Sequence, residues 1–359
     1  MPATSSLPKI QLQRYSTRSL TTMKAFQITE LVHPSKINVS QIEPPKPDAG
    51  KGEVLVDVHA AALNFFDILQ SQGKYQTKPP LPFTLGAELA GTISKSSPIP
   101  PGCPYKPGDR VFGITQGAFA EQAVAEWKRL LPVPKNLSLA EASTVPLTAT
   151  TSYLAIVNRA QAKAGEWVLV HGAAGGVGIA ACQIAKSLGC KVIAAASSDA
   201  KRQFCKDHGR VDEVVDYTKE GWQNKVKTMT DGKGVDIVFD PVGMIVPSLK
   251  CVNFNARILV VGFAGGTIEN IPANLLLLKQ ASAVGVYWGA TELREPETTK
   301  QISSSVLKLL STGDIRPIVH STPYKGIEGV VQGLKDIEER KVWGKGVVVI
   351  REEETKAKL

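Results

Sequence analysis

Short runs of apolar and β-branched residues, repeatedly cut by Gly and Pro, mark the chain from residue 23 to about 145. Val54-Leu55-Val56-Asp57-Val58 is one such run and reads as a strand, entered from the ordered loop Glu43-Pro44-Pro45-Lys46-Pro47. Val111-Phe112-Gly113-Ile114 is another, following the turn Lys106-Pro107-Gly108-Asp109. The pattern predicts a compact, mostly β, barrel-like domain.

From about 146 the rhythm becomes an alternation of strands and helices. Strands are expected at Val168–His171, Val192–Ala196, Glu213–Asp216, Val235–Asp240, Arg257–Gly262 and Ala283–Tyr287. Helices are expected at 177–188, with Ile179, Ala180, Ala181, Ile184 and Ala185 on its apolar face, and at 199–208. Repeated βαβ units with buried β-branched strands predict a doubly wound parallel sheet over 146–289. Residues 290–359, with a helix at 297–311 and late strands, are expected to fold back onto the first domain.

A chain of 359 residues suits two domains of ordinary size. With 43% hydrophobic and 21% charged residues it has a globular composition, and no run reaches the ~18 apolar residues of a membrane span. The net charge of +9 is scattered rather than gathered into a basic run, which favours a phosphorylated cofactor over nucleic acid. Part of that charge belongs to residues 1–22, which hold Lys9, Arg14 and Arg18, eight Ser/Thr and no acid. Such a segment reads as a mitochondrial transit peptide, or as a disordered extension ahead of a start at Met23 and a cytoplasmic protein. The terminal Ala357-Lys358-Leu359 offers a competing peroxisomal address. Five cysteines, at 103, 182, 190, 205 and 251, form no C-x-x-C pair and argue against a disulfide framework.

Val170-His171-Gly172-Ala173-Ala174-Gly175-Gly176-Val177-Gly178 stands between a predicted strand and a predicted helix. Glycines there let backbone N–H groups approach a pyrophosphate, and the helix N-terminus attracts the anion. The cofactor contacts are therefore assigned to Ala174, Gly175, Gly176, Val177 and Gly178, although Ala173 replaces the first glycine of the strict pattern. At the end of the second strand an NAD site wants an acid. This chain has Ala196-Ser197-Ser198-Asp199-Ala200-Lys201-Arg202 instead. Ser197, Ser198, Lys201 and Arg202 suit a 2′-phosphate, with Asp199 capping the helix, so NADPH is the expected cofactor. The competing reading of Lys201 and Arg202 is a solvated helix face.

Several motifs occur in a familiar order: Asn64-Phe65-Phe66-Asp67, Gly73-Lys74-Tyr75, Gly86-Ala87-Glu88-Leu89-Ala90-Gly91, the glycine turn, Phe239-Asp240-Pro241-Val242-Gly243 and Gly262-Phe263-Ala264-Gly265-Gly266. Over about 23–350 the chain resembles the zinc-free quinone oxidoreductase, or zeta-crystallin-like, branch of the medium-chain dehydrogenase/reductases. The resemblance implies an α/β protein with a GroES-like β-rich catalytic domain (23–145 with 290–359) and a Rossmann cofactor domain (146–289). Zinc-containing relatives have Cys where Asn64 stands and His where Ala87 stands, and four cysteines near 96–108, where this chain has only Cys103. The resemblance thus implies no metal.

Hydride would pass to a quinone or another conjugated acceptor. By the resemblance Asn64, Asp67 and Tyr75 line the cleft, with Tyr75 as proton donor; the plainer reading of Tyr75 is a half-buried loop aromatic. Thr151, Gly262 and Phe263 are implied at the nicotinamide, Tyr217 at the adenine, and Lys345 is assigned a structural role. Residues 283–288 resemble an edge strand through which a homodimer forms. Two alternatives stay open: an enoyl-thioester reductase, and a non-catalytic RNA-binding or structural protein.

Overall fold

Ten residues, Glu53–Ala62 (β1), are almost continuously apolar because this strand is flanked and covered on all sides. Its first half pairs with Gln122–Glu126, its second half with Glu88–Ile93, and its last three residues with Val347–Val349 from the far end of the chain. A strand covered in this way loses the in–out alternation of a surface strand. The structure, a computed structural model, describes residues 22–353; the transit-like segment up to residue 21 and the terminal Ala357-Lys358-Leu359 lie outside the described residues.

After β1 come α1 (Phe65–Ser71), β2 (Glu88–Ile93), β3 (Arg110–Ile114), β4 (Gln122–Glu126) and β5 (Leu130–Pro132). Next are α2 (Leu139–Ser143) and α3 (Val145–Tyr153), which lead into the second sheet. That sheet contains β6 (Trp167–Val170), β7 (Lys191–Ala195), β8 (Glu213–Val215), β9 (Val235–Asp240), β10 (Val252–Val260) and β11 (Ser282–Gly285). Its order is β8-β7-β6-β9-β10-β11, every pair parallel. The chain moves outward from β6 to one side and then restarts at β9 on the other. The switch point lies between β6 and β9, and at such a point the strand ends open a crevice.

Helices cover both faces, as alternating burial demands. Leu169, Ile193, Val238 and Ile258 point into one core with Trp222. Val168, Val192, Ile237 and Leu259 point the other way, against Ala181, Ile184 and Ala185 of Gly176–Ser187 (α4). Asp199–Gly209 (α5) follows β7. The fold is α/β, a GroES-like β-rich domain joined to a Rossmann domain.

Residues 290–359 do not return to the first domain as one block. Trp288–Arg294 (α6) and Pro296–Thr312 (α7) stay with the cofactor domain, because Ile302, Val306 and Leu310, one helical face, seal the core beside α3 and α4. Only beyond them does the chain cross back. Tyr324–Lys325 (β12) pairs parallel to Val347–Val349 (β13), and β13 pairs antiparallel to β1, Val347 opposite Ala62. Strand β10 begins five residues before the expected Arg257 and ends at Val260, where 261–272 leave the sheet as a loop. Among the described residues no helix is long and apolar enough to cross a membrane.

Candidate active site and nucleotide cradle

The turn after β6 is shaped by its glycines. Gly172 takes the left-handed conformation (φ 56°), and a Cβ on Gly178 would lie 2.4 Å from the Gly172 carbonyl oxygen. A Cβ on Gly176 would meet the Lys345 and Thr148 side chains at 3.1 Å. Gly175 is the N-cap of α4, and neither a capping side chain nor an acid in the first turn offsets the positive end of this twelve-residue helix. This cradle fits a dinucleotide pyrophosphate: it is open to backbone, closed to Cβ atoms and carries no acid in its first helical turn. The Ala174 carbonyl accepts from Gly344 N–H at 2.8 Å, and the Val177 carbonyl accepts from Ser152 Oγ at 2.8 Å. Thr151 precedes that serine on α3, half-buried.

Tyr217 stands half-buried after β8, edge-on to His171 at 6.0 Å. His171 is buried, bonds Ser248 Oγ at 2.8 Å and packs edge-on against Trp222. Burial pushes its pKa down to about 3, so a neutral imidazole supports the tyrosine. Gly262 and Phe263 lie on the loop beyond β10. That loop is braced to Asp240-Pro241-Val242-Gly243 by Gly265 N–H donating to the Val242 carbonyl at 2.9 Å. Asp240 in turn accepts from Val242 and Gly243 N–H, which curls its own loop at the same edge of the sheet.

At the end of β7 the geometry redistributes the expected roles. Ser198, not Asp199, caps α5, its hydroxyl accepting from Lys201 N–H. Asp199 is the first helical residue and binds Arg202. Arg202 also reaches Asp216 at 3.1 Å and the Ala196 carbonyl at 3.0 Å, so its guanidinium already has carboxylate partners on two sides. Lys201 instead turns to the C-terminal segment, donating to the Arg340 carbonyl at 3.0 Å. Burial and the nearby Arg340 charge lower its pKa. Arg340, a residue that no local pattern marks, is thereby brought beside Lys201.

Across the crevice stands Asn64, the N-cap of α1. Its Nδ2 donates to Glu88 Oε2 at 2.9 Å and to the Ala62 carbonyl at 3.3 Å, and its Oδ1 accepts from Lys345 Nζ. Glu88, with no exposed surface, also pairs with Lys345 at 2.8 Å and accepts from Leu147 N–H at 2.7 Å. From the sequence, Glu88 had no role of its own and Lys345 a structural one.

Asp67, expected to line the cleft, is wholly buried beneath it. Its Oδ2 accepts from Asn64 N–H at 2.8 Å while Oδ1 has no partner. Burial pushes its pKa from 3.8 to about 8. Tyr75 stacks on Phe66 with ring centroids 5.1 Å apart, and burial raises its pKa, which keeps the phenol protonated. Among the described residues no three His, Cys, Asp or Glu side chains gather as a metal site would require.

The glycine turn and Asn64 thus stand on either side of one crevice, bridged by the Lys345 side chain. Residues 50–135 match the alcohol dehydrogenase GroES-like domain and residues 176–306 the zinc-binding dehydrogenase model. Rat quinone oxidoreductase-like protein 2 is 37% identical over 332 residues, covering 91% of this chain and 92% of that protein. The chain belongs to the quinone oxidoreductase branch of the medium-chain dehydrogenase/reductases. A probable oxidoreductase from Mycobacterium abscessus superposes with a TM-score of 0.82 at 36% identity, over 92% of this chain and 100% of that one. Escherichia coli quinone oxidoreductase complexed with NADPH gives 0.79 at 26% identity, again over 92% and 100%. By that family the chain is an oxidoreductase.

The burial of Asp67 carries a pH signature. The folded protein keeps this carboxyl protonated up to about 8, whereas the unfolded chain releases the proton near 3.8. Stability therefore falls as pH rises between these values, because the native state binds the extra proton. Asp67→Asn flattens that slope when melting temperatures are compared at several pH values between about 5 and 8; an unchanged slope shows that Asp67 is ionised in the native protein.

Proposed function

We propose that the protein is an NADPH-dependent reductase of quinones and other conjugated acceptors that works without zinc. The observation that supports this reading is the crevice at the sheet's switch point: the glycine turn after β6, with no acid in the first turn of α4, lies beside Asn64, the Lys345 side chain running between them. Once bound, the nicotinamide supplies a hydride to the electron-poor carbon of the acceptor. The chain's own residues do the rest. Gly175, Gly176 and Gly178 admit the pyrophosphate, while Ser197, Lys201 and Arg340 take the 2′-phosphate. Thr151, Gly262 and Phe263 border the nicotinamide and Tyr217 covers the adenine. Tyr75, held protonated by burial, donates a proton to the enolate or phenolate that forms. Asn64 and Ala87 stand where zinc-dependent relatives have Cys and His, so the metal-free reading follows from the residue types.

The same protonated phenol also favours the second reading, an enoyl-thioester reductase, and one screen separates the two. Zinc-free protein is expected to oxidise NADPH with quinones and enones faster than with enoyl-CoA esters. Tyr75→Phe should slow enone reduction by about 10²-fold while sparing quinones, which can take their proton from water. Preference for enoyl-CoA selects the second reading, and stoichiometric zinc in active protein overturns the metal-free one.

Cofactor choice is tested at the strand end. NADPH should bind more tightly than NADH, and Lys201→Ala should weaken NADPH by about tenfold, about 1.4 kcal/mol, with NADH unchanged. Equal affinities for the two cofactors defeat the assignment.

We further propose a homodimer through β11. Among the described residues this edge strand is bonded to β10 alone, with Ala283 exposed, and the nearby Leu277 and Leu278 are 79% and 70% exposed. An added backbone ladder and apolar burial would favour a second copy there. Sedimentation should give a dimer for the natural protein and a monomer for Val284→Arg; a natural protein that is monomeric at micromolar concentration rejects it.

A further inference from the structure

Lys345 sits on a strap, residues 344–346, that is stitched to both domains. Gly344 N–H donates to the Ala174 carbonyl of the glycine turn at 2.8 Å. Two residues on, the Gly346 carbonyl accepts from Leu63 N–H at 2.9 Å, beside Asn64. Gly344 is left-handed (φ 67°), and a Cβ there would strike the Ile318 carbonyl oxygen at 2.3 Å, so the strap has one path. From it the Lys345 side chain runs across Gly176 and ends between Glu88 and Asn64, almost wholly buried.

The chemistry of these three groups is directional. An ammonium only donates, a carboxylate only accepts, and an amide does each at a different end. Asn64 therefore has a single orientation, Oδ1 toward Lys345 and Nδ2 toward Glu88. A flipped amide would set its N–H groups against the ammonium and its oxygen against the carboxylate. Glu88 is anchored independently by Leu147 N–H on α3, a helix of the cofactor side.

We propose that Lys345 is a positioning residue that fixes the Asn64 amide at the nicotinamide side of the cleft and ties its placement to the phosphate-binding turn. The inference rests on the reductase reading above, in which Asn64 lines the reacting site. Lys345 acts through Asn64, so the two residues are thermodynamically coupled in the reaction, and loss of either has the same consequence as loss of both.

The test is a double-mutant cycle in the full-length protein with NADPH and an accepted quinone or enone. Lys345→Met should lower kcat by about tenfold or more, with the NADPH Kd changed less than about threefold. Lys345→Arg, which still donates to both partners, should recover part of the loss. Asn64→Ala should lower kcat similarly, and the double variant should be no slower than Asn64→Ala alone. Additive losses, or an unimpaired Lys345→Met, overturn the proposal. If the Met variant fails to fold, Lys345→Gln and Lys345→Arg carry the same comparison. A natural protein that binds NADPH but reduces none of the acceptors rejects the reaction reading alone. The cycle is then read on the fluorescence maximum of bound NADPH: a coupled shift supports Lys345, and independent shifts overturn it.

Discussion

Glu88 is a carboxylate with no exposed surface, and a buried charge is tolerated only when its partners answer it. Here the answers come from three directions: the Lys345 ammonium, the Asn64 amide and the Leu147 backbone N–H. Each belongs to a different part of the chain. The first follows the C-terminal crossing, the second opens α1, and the third lies on the helix that enters the cofactor domain. Removing one member of such a pair costs about 3–5 kcal/mol, because the remaining charge is stranded. The two domains are thereby joined at the place where their chemistry meets.

That junction explains why the chain crosses back late. The helix α7 completes the cofactor core with Ile302, Val306 and Leu310, and only then does the strap pass the glycine turn and add β13 to β1. The path serves the first sheet and the crevice together: the segment that closes the strand ladder also delivers Lys345 and, a few residues earlier, Arg340. A single crossing thus brings Arg340 beside Lys201 and Lys345 beside the glycine turn.

Electrostatics divide the neighbouring cations by what they can spare. Arg202 answers Asp199 and Asp216, one within its own helix and one from the next strand end. Lys201 binds the Arg340 carbonyl, and burial with the nearby Arg340 charge lowers its pKa. Asp67 takes the opposite solution, meeting burial by holding its proton, which makes it a neutral cap beneath Asn64 and not a wall of the cleft.

The sequence alone determined what depends on short-range order. The βαβ rhythm follows from periods of two and 3.6 residues, and the turn Gly172–Gly178 is legible because backbone approach requires glycine whatever surrounds it. Motif order was enough to identify the branch. Tertiary structure alone decided which charges meet. Lys345 and Asn64 are 281 residues apart, and Lys201 and Arg340 139 apart, so no periodicity links them. Arg202 is exposed on any helical wheel drawn from the sequence, yet Asp216, brought beside it by the next parallel strand, claims it. Side-chain charge is written locally, but whether it is free, paired or neutralised depends on distance and burial, which only the folded chain sets.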